Sequence, residues 1–509
     1  MTPDPQLHFM NSLRILVGSS VPADRRSGFL EAVFILVGGL AVAVLVLRPV
    51  AALFLLIACA ALAFLWIASG AFRGQSARIL LCWAAVFPLG YFFVSFPREQ
   101  AIVTLDRLVV LLVFLALFLG KRDMLTPVPN TLRKTALAWL LFAVFAGISA
   151  FGSPNFLNAA RALFDSFLLP ILLAWCVIAR FDVRRHLPAL HTAVCVSSII
   201  SAIIAAAEIA LSQDLLSVGA PAASYAGIIR PNGPFESNDT LSLIGAVSLL
   251  FLLFLRSGLG PALTLRRRTL HFSGLAAALG MALMPMFRSV LLTLLLLLLI
   301  DIFWERGISR RAWRIALILS FVGTVFVAGL LAPQILQDRS SGDNVWGRVA
   351  QFQQSVRVFA ENPVWGVGFM NFHEYVVGEP RYVATYQGVS SVDWPHDNLL
   401  EVLTETGAVG FVPYVLAQIF LLTAIWRLRR WPGSGSLAWK CGVYLFLTYW
   451  ITGLTESSGY GPLNLWYAFV LAALYKYVMT EPDAASLPEN ELPGEDAAFS
   501  DAALSPTLS

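Results

Sequence analysis

Long apolar runs separated by short polar segments make up most of the chain. Fourteen runs approach the roughly 20 apolar residues that a membrane-spanning helix needs. Only Met286, Phe287 and Arg288 separate two of them, so a single kinked helix is the alternative to two helices there. The pattern predicts an all-α polytopic membrane protein with about 12–14 transmembrane helices. The runs lie near 29–47, 49–69, 79–97, 101–120, 135–152, 158–179, 187–211, 240–255, 269–286, 288–304, 314–332, 407–426, 437–455 and 462–479.

Lysine and arginine between the runs predict the orientation, because short cytoplasmic loops carry the positive excess. Most of the 35 basic residues fall on one side if both termini are cytoplasmic. The predicted organisation is a cytoplasmic N-terminal segment (1–28), transmembrane helices 1–11 (29–332), a large extracytoplasmic loop with short helices (333–406), transmembrane helices 12–14 (407–479) and a disordered cytoplasmic tail (480–509).

Composition supports this class and excludes others. Hydrophobic residues make up 58% of the chain and charged residues 13%, against about 25% charged in soluble domains. The mean hydropathy is +0.74. The basic residues come as short clusters without the continuous stripe of a nucleic-acid surface. We therefore expect no nucleic-acid partner. The five cysteines show no CxxC spacing of a metal or redox site.

Two predicted extracytoplasmic segments, near 212–239 and 333–406, are long enough to be functional. In the second, Trp346, Val349, Phe352, Val356 and Phe359 recur at helical spacing, which predicts an amphipathic helix along the membrane. The opposite face carries Arg348, Gln351, Gln354 and Ser355. Asn362-Pro363 should end that helix.

Several arginines fall outside the cytoplasmic clusters. Arg230 lies in a Pro-Asn-Gly-Pro turn, and Arg288 begins an apolar run on the outward side. An arginine at such a place is either an interfacial anchor or a ligand for an anion, and its planar fork suits a diphosphate. Arg348 is a weaker candidate for glycan or phosphate, with a helix anchor as the alternative. Arg161 either lines the cavity in which such an anion would bind or pairs with Asp165, four residues further along the chain.

His396 is the candidate catalytic residue of the large loop. It precedes Asp397, which can cap a short helix running to a stop at Gly407. An imidazole can take a proton from a sugar hydroxyl. The alternative is a solvated loop histidine. A metal site that joins His373, Glu374 and Asp393 to His396 lacks the spacing of metal ligands.

These blocks resemble the bacterial O-antigen ligase and polymerase family. The resemblance rests on Arg230 in its turn, on Phe287-Arg288-Ser289, on Arg348 followed by Asn362-Pro363-Val364-Trp365-Gly366-Val367-Gly368-Phe369, and on Pro395-His396-Asp397-Asn398-Leu399-Leu400-Glu401 with Glu405-Thr406-Gly407-Ala408-Val409-Gly410. It covers roughly 224–412. The family usually has Ser-Arg at the second arginine, where this chain has Phe287 before Arg288.

The resemblance implies a GT-C-like membrane glycosyltransferase of the inner membrane. It implies that Arg230 and Arg288 bind the diphosphate of an undecaprenyl-diphosphate-linked glycan and that His396 activates the acceptor hydroxyl, with no metal or other cofactor. The expected product is an O-antigen or exopolysaccharide chain. The implied partners are that donor, a glycan or lipid A core acceptor, the membrane and other polysaccharide-assembly proteins.

Two alternatives stay open. An O-antigen ligase differs from a polymerase only in its acceptor, which is the lipid A core of lipopolysaccharide. A transporter or flippase for the lipid-linked glycan would need charges along the bilayer midplane, for which the candidates are Asp106, Arg107, Asp165 and Glu208.

Overall fold

The computed structural model describes residues 76–90, 95–96, 103–119, 126–151, 153–154, 156–216, 224–225, 228–260, 264–304, 342–391, 395–431, 433–454 and 461–481. The predicted spans at 29–47, 49–69 and 314–332 lie outside these residues, as do the N-terminal segment 1–28, Asp393 and the tail from 482. The chain divides into two units between Ile79 and Leu80, and the packing below concerns the second unit.

Helices dominate the described residues. They are α1 (Ser76–Val86), α2 (Leu105–Leu119), α3 (Asn130–Ala150), α4 (Phe156–Leu163), α5 (Leu169–Arg180), α6 (Leu187–Leu211), α7 (Asn238–Gly258), α8 (Leu265–Leu283), α9 (Arg288–Trp304), α10 (Gly342–Glu361), α11 (Phe372–Val377), α12 (Asn398–Arg427), α13 (Gly435–Gly453) and α14 (Gly461–Met479). A π-helical turn, Phe164–Leu168, joins α4 to α5, and 3-10 turns occupy Phe87–Leu89, Pro380–Tyr382 and Leu428–Arg430.

Three antiparallel hairpins of two-residue strands complete the architecture. They are β1 (Ser95–Phe96) with β2 (Val103–Thr104), β3 (Ser224–Tyr225) with β4 (Ile228–Ile229), and β5 (Thr385–Tyr386) with β6 (Val389–Ser390). Their registers pair Ser95 with Thr104, Ser224 with Ile229, and Thr385 with Ser390.

Five of the described helical stretches are long and apolar enough to cross a membrane: Asn130–Ala150, Phe156–Arg180, Leu187–Leu211, Asn238–Gly258 and Asn398–Arg430. The prediction of an all-α polytopic membrane protein is therefore confirmed.

The structure separates the two runs near 269–304 into α8 and α9, which resolves the kinked alternative. Two other predicted spans are wrong in their bounds. The run at 79–97 ends as an α-helix at Val86, where the 3-10 turn Phe87–Leu89 with Pro88 follows, and a strand lies at Ser95–Phe96. The run at 407–426 begins earlier, at Asn398, and includes a break at Gly407.

Charged side chains join helix termini at one end of the bundle. Arg184 donates its Nε to the carbonyl oxygen of Tyr477 at 2.8 Å and forms an ion pair with Glu481 at 3.0 Å. Lys476 donates to the carbonyl oxygen of Ile178 at 2.8 Å. These contacts join the C-terminal ends of α5 and α14. We call this region, with Arg184, Lys476 and Glu481, the basic end.

The opposite end of the bundle lies where α7 begins and α8 ends. The last residue of α7, Gly258, packs against Tyr477 at the basic end. A helix of 21 residues spans about 30 Å, so α7 begins at the opposite end. There α8 ends and α9 begins, and Ser242 donates to the carbonyl oxygen of Ala282 at 2.7 Å to hold α7 against α8. We call this the site end, and it includes Arg230 and Arg288.

Candidate functional site

Arg230 and Arg288 are brought to the same turn at the site end. Arg230 follows β4, is half-buried, and donates its Nε to the carbonyl oxygen of Pro285 at 2.8 Å. Pro285 lies three residues before Arg288, which is exposed and begins α9. The hydrogen bond therefore places the two predicted arginines beside each other, although 58 positions separate them in sequence.

The first turn of α9 adds to the positive field of these arginines. The free N–H groups of a helix N-terminus carry about half a positive charge and attract anions. Met286, in the link that presents Arg288, has a φ of 51°, a left-handed conformation that costs energy for a side chain of this kind.

Glu208, near the C-terminal end of α6, holds the Arg230 turn in place. Its side chain is buried, and its carboxylate accepts a hydrogen bond from the backbone N–H of Gly233 at 2.8 Å and one from that of Leu215 at 3.4 Å. A lone acid in an apolar run signals a special role. Its partner could not be predicted, because Gly233 lies 25 residues further along the chain.

His396 and Arg348 form the second half of the predicted site. The Nη1 of Arg348, on α10, donates to the carbonyl oxygen of His396 at 3.3 Å. His396 is partly exposed and has a φ of 47°, a conformation that side chains adopt rarely. Asp397 turns its own side chain away to cap α12, accepting from the N–H groups of Leu399 at 2.8 Å and Leu400 at 3.0 Å. The predicted N-cap is confirmed.

Burial raises the pKa of Asp397, and the two backbone N–H groups that it accepts from oppose that shift. The carboxylate is thus committed to the helix cap, where it keeps α12 starting directly after His396.

The helix that follows His396 is broken and locked to the large loop. Gly407, with φ 61° and ψ −168°, interrupts the helical conformation of α12. The freed backbone groups pair with the loop: the N–H of Val367 donates to Thr404 at 3.0 Å, and the N–H of Ala408 donates to Pro363 at 2.9 Å. A Cβ at Gly407 would lie 2.2 Å from the carbonyl oxygen of Val364, so a glycine is required. The predicted helix stop at Gly407 is a break inside a longer helix.

Glu405 also holds the large loop against α12. It is fully buried and accepts from the backbone N–H groups of Met370 at 2.9 Å and Phe372 at 3.3 Å, at the start of α11. The signature residues around Gly366 and Gly407 therefore hold the large loop against α12, which begins directly after Asp397.

The amphipathic helix α10 turns its polar face inward. Phe352 and Val356 are exposed, whereas Gln351, Gln354 and Ser355 are buried. The side-chain carbonyl oxygens of the two glutamines have no hydrogen-bond partner in the part of the chain that the structure describes. The exposed apolar face agrees with the predicted helix along a membrane.

The pair between Arg161 and Asp165, one of the two alternatives that the sequence left open, is not formed. Asp165 is bound instead by Arg107, whose Nε donates to it at 2.7 Å and whose Nη2 contacts its other oxygen. Arg161 lies half-buried on α4. Within the described ranges no group of three or more His, Cys, Asp or Glu side chains is placed to hold a metal ion.

The described residues form a helical membrane protein with two of the predicted arginines at one end and His396 directly before a broken helix. Residues 273–415 match the family model described as O-antigen ligase, which supports membership of the O-antigen ligase and polymerase family. The match includes Arg288, Arg348 and His396, while Arg230 and Arg161 lie before it. No curated protein matches the chain.

Proposed function

We propose that the chain is a glycosyltransferase that moves a glycan from undecaprenyl diphosphate to an acceptor hydroxyl at the extracytoplasmic face of the inner membrane. The O-antigen ligase match supports glycan transfer of the ligase or polymerase type. The observation that carries the donor assignment is the hydrogen bond from Arg230 to Pro285, which sets two arginines and a helix N-terminus on one turn.

The two arginines neutralise the leaving group. A diphosphate offers several anionic oxygens, and each guanidinium can donate two parallel hydrogen bonds to them. The contact with Pro285 orients Arg230. Charge that develops on the departing diphosphate is therefore stabilised by groups already in position.

His396 supplies the base. Its imidazole takes the proton of the acceptor hydroxyl while that oxygen attacks the anomeric carbon of the donor sugar. The bond between the anomeric carbon and the diphosphate oxygen breaks, and its electron pair leaves with polyprenyl diphosphate. One direct displacement inverts the anomeric centre. Arg348 positions the base by binding the carbonyl oxygen of His396, and it contacts the glycan from the same face. The arginines take the role that a metal ion would fill elsewhere.

We propose a polymerase of O-antigen or exopolysaccharide, with transfer to lipid A core as the alternative. The charges that would favour a transporter are used otherwise: Asp165 pairs with Arg107, and Glu208 binds the Arg230 turn. Both termini are proposed to be cytoplasmic. A cysteine at exposed Ser390 should then react with an impermeant reagent in intact spheroplasts, and one at Arg185 should be protected. The reverse pattern would invert the orientation.

The direct test is reconstitution. The purified full chain, in lipid nanodiscs with the lipid-linked glycan of its own cells and a chelator, should lengthen the glycan and release undecaprenyl diphosphate. Addition of lipid A core separates the two acceptors, because a ligase transfers only when the core is present. Release of no diphosphate with either acceptor would refute the proposal.

A further inference from the structure

Two arginines lie at the end of the apolar helical stretch Asn398–Arg430, which is long enough to cross a membrane. Arg429 and Arg430 are exposed in the 3-10 turn that follows α12. Ser434 comes four residues after Arg430, and its hydroxyl accepts a hydrogen bond from Arg184 at 3.1 Å. The two arginines therefore lie at the basic end, at the boundary of the apolar stretch.

These two arginines differ in their contacts from other cations of the basic end. Arg184 pairs with Glu481 at 3.0 Å. Arg429 contacts the ring of Trp426, and neither it nor Arg430 forms an ion pair within the ranges that the structure describes. Basic residues at a membrane surface attract anionic lipid headgroups. We propose that Arg429 and Arg430 bind the phosphate of an anionic phospholipid, whose acyl chains lie along α12.

A row of exposed apolar side chains on α12 leads to these arginines. Its members recur every three or four residues, which places them on one face of the helix. The row continues without a shift of face to Arg429, three residues after its last member. The members of the α12 row are Val412, Leu416, Ile419, Leu422 and Trp426.

The length of the α12 row fits one leaflet of a bilayer. Ile419 precedes Arg429 by ten residues, which corresponds to about 15 Å along a helix. The hydrocarbon core of a bilayer is about 30 Å thick, so this distance is the depth of one leaflet. A lipid whose phosphate lies at Arg429 therefore has its acyl chains beside Trp426, Leu422 and Ile419.

Two tryptophans restrain Arg429 at the membrane boundary. The guanidinium carbon of Arg429 lies 4.7 Å from the centroid of the Trp426 ring. Trp426 in turn packs edge-on against Trp439 of α13, with ring centroids 5.2 Å apart. A cation held over an indole ring is attracted by the ring quadrupole. An arginine that is already restrained loses less entropy when it binds a phosphate.

The alternative role of these arginines is to offset the dipole of α12, because cations near a helix C-terminus are stabilising. That role needs no lipid and predicts no preference between charged and neutral headgroups. The lipid role predicts a preference for an anionic headgroup. A zwitterionic headgroup also brings a positive amine, which the two arginines repel.

The start of α8 provides a matched comparison. Arg266 and Arg267 are exposed there, in the first turn of that helix, and neither forms an ion pair with the described residues. They carry the same charge as Arg429 and Arg430 but lie over no aromatic ring. General attraction of lipid to positive charge therefore affects both pairs alike, whereas a site affects one pair.

The test titrates the purified full chain in detergent with phosphatidylglycerol and, in a second arm, with phosphatidylcholine of the same acyl chains. Native mass spectrometry measures the bound lipid. The double variant Arg429→Gln with Arg430→Gln should weaken phosphatidylglycerol binding roughly 30-fold, the worth of two surface arginines, and leave phosphatidylcholine binding unchanged. The double variant Arg266→Gln with Arg267→Gln should keep the wild-type affinities.

A third variant tests the aromatic support without a change of charge. Trp426→Leu should weaken phosphatidylglycerol binding about threefold, because the cation–π contact with Arg429 is lost. Thermal unfolding without added lipid checks that the variants are folded, and all the substituted side chains are exposed or partly exposed.

Equal affinity of the wild type for the two lipids would overturn the inference. An equal loss of phosphatidylglycerol binding in the two double variants would overturn it as well, because it would show general attraction to the basic end. Glycan and donor take no part in these titrations, so their result is independent of the proposed transferase activity.

Discussion

The two ends of the bundle use their charged residues differently. At the basic end Arg184 pairs with Glu481 at 3.0 Å, and Lys440 forms an ion pair with Asp301. At the site end Arg230 and Arg348 donate to backbone carbonyl oxygens. A carboxylate partner neutralises a cation and fixes a helix terminus, whereas a carbonyl oxygen orients the cation. The contacts at the basic end hold helix termini together, and those at the site end orient two of the arginines to which we assign the substrate.

Arg107 sharpens this contrast within one part of the molecule. It lies in the first turn of α2, where the neighbouring Asp106 lines a pocket with Pro234 and Phe235, and Asp165 binds it through two contacts. Its position alone would suggest a third phosphate-binding arginine. Its ion pair with Asp165 indicates a structural role. Arg107→Ala should therefore lower the amount of folded protein, whereas Arg230→Ala should lower activity.

The largest effect is expected at the two site arginines. Arg230→Ala and Arg288→Ala should each lower polymer formation about 1,000-fold or more, because each loses charge-assisted hydrogen bonds worth roughly 1.5–3 kcal/mol apiece. Replacement of either arginine by lysine should restore little polymer formation. Lysine keeps the charge but lacks the planar guanidinium that donates two parallel hydrogen bonds. Immunoblots of membranes should show normal protein levels, in contrast to Arg107→Ala. Full polymer in either alanine variant would remove that arginine from the site.

The next effect concerns the base. His396→Ala should lower turnover about 10²- to 10⁴-fold while donor binding stays intact. His373→Ala is the matched control in the same loop and should be far milder. A wild-type enzyme inactivated by chelator would contradict the metal-free mechanism. Loss of donor binding in His396→Ala would move this residue to the diphosphate site.

A smaller effect should follow from Glu208. Glu208→Ala leaves the N–H of Gly233 without its acceptor, which should displace the Arg230 turn and raise the KM for donor about tenfold. Glu208→Gln keeps an acceptor oxygen and should recover much of that loss. A purely structural role would lower protein yield in both variants and leave the KM unchanged, so titration of the donor separates the two.

The smallest effect lies at the basic end and concerns stability alone. Burial favours a raised pKa for Glu481, but its hydrogen bonds with Ser434 and the charge of Arg184 outweigh burial and lower the pKa below the ordinary 4.5. A lowered pKa stabilises the fold above pH 4.5, and this contribution is lost as pH falls through the folded-state value. Glu481→Gln should lower unfolding stability by about 1 kcal/mol at pH 7. The difference from wild type should shrink in acid, as followed by thermal unfolding in detergent. A difference that grows in acid would contradict the assignment.

The helical architecture could be predicted because its signal is local. Runs of apolar residues predict spanning helices at any place in the chain, and the described bounds of α6, Leu187–Leu211, agree with the predicted 187–211. The run at 407–426 was less predictable. Its continuity with the short helix predicted after Asp397 depends on the loop at 363–367, whose backbone forms hydrogen bonds with residues on both sides of the break at Gly407.

The site residues divide along the same line. The family resemblance singled out Arg230, Arg288 and His396 from their local blocks, and their roles remain proposals. The sequence named Glu208 only among the charges that a transporter would need. Its hydrogen bond to Gly233 could not be predicted, because it is a tertiary contact.

The central claim is that the site end holds a diphosphate with Arg230 and Arg288. Binding of undecaprenyl diphosphate to the purified chain in nanodiscs tests it most directly, with undecaprenyl monophosphate and Arg184→Ala as references. The account predicts that wild type prefers the diphosphate, that Arg230→Ala and Arg288→Ala lose this preference, and that Arg184→Ala keeps it. Equal affinity for the two lipids in wild type, or an unchanged preference in both site variants, would contradict it.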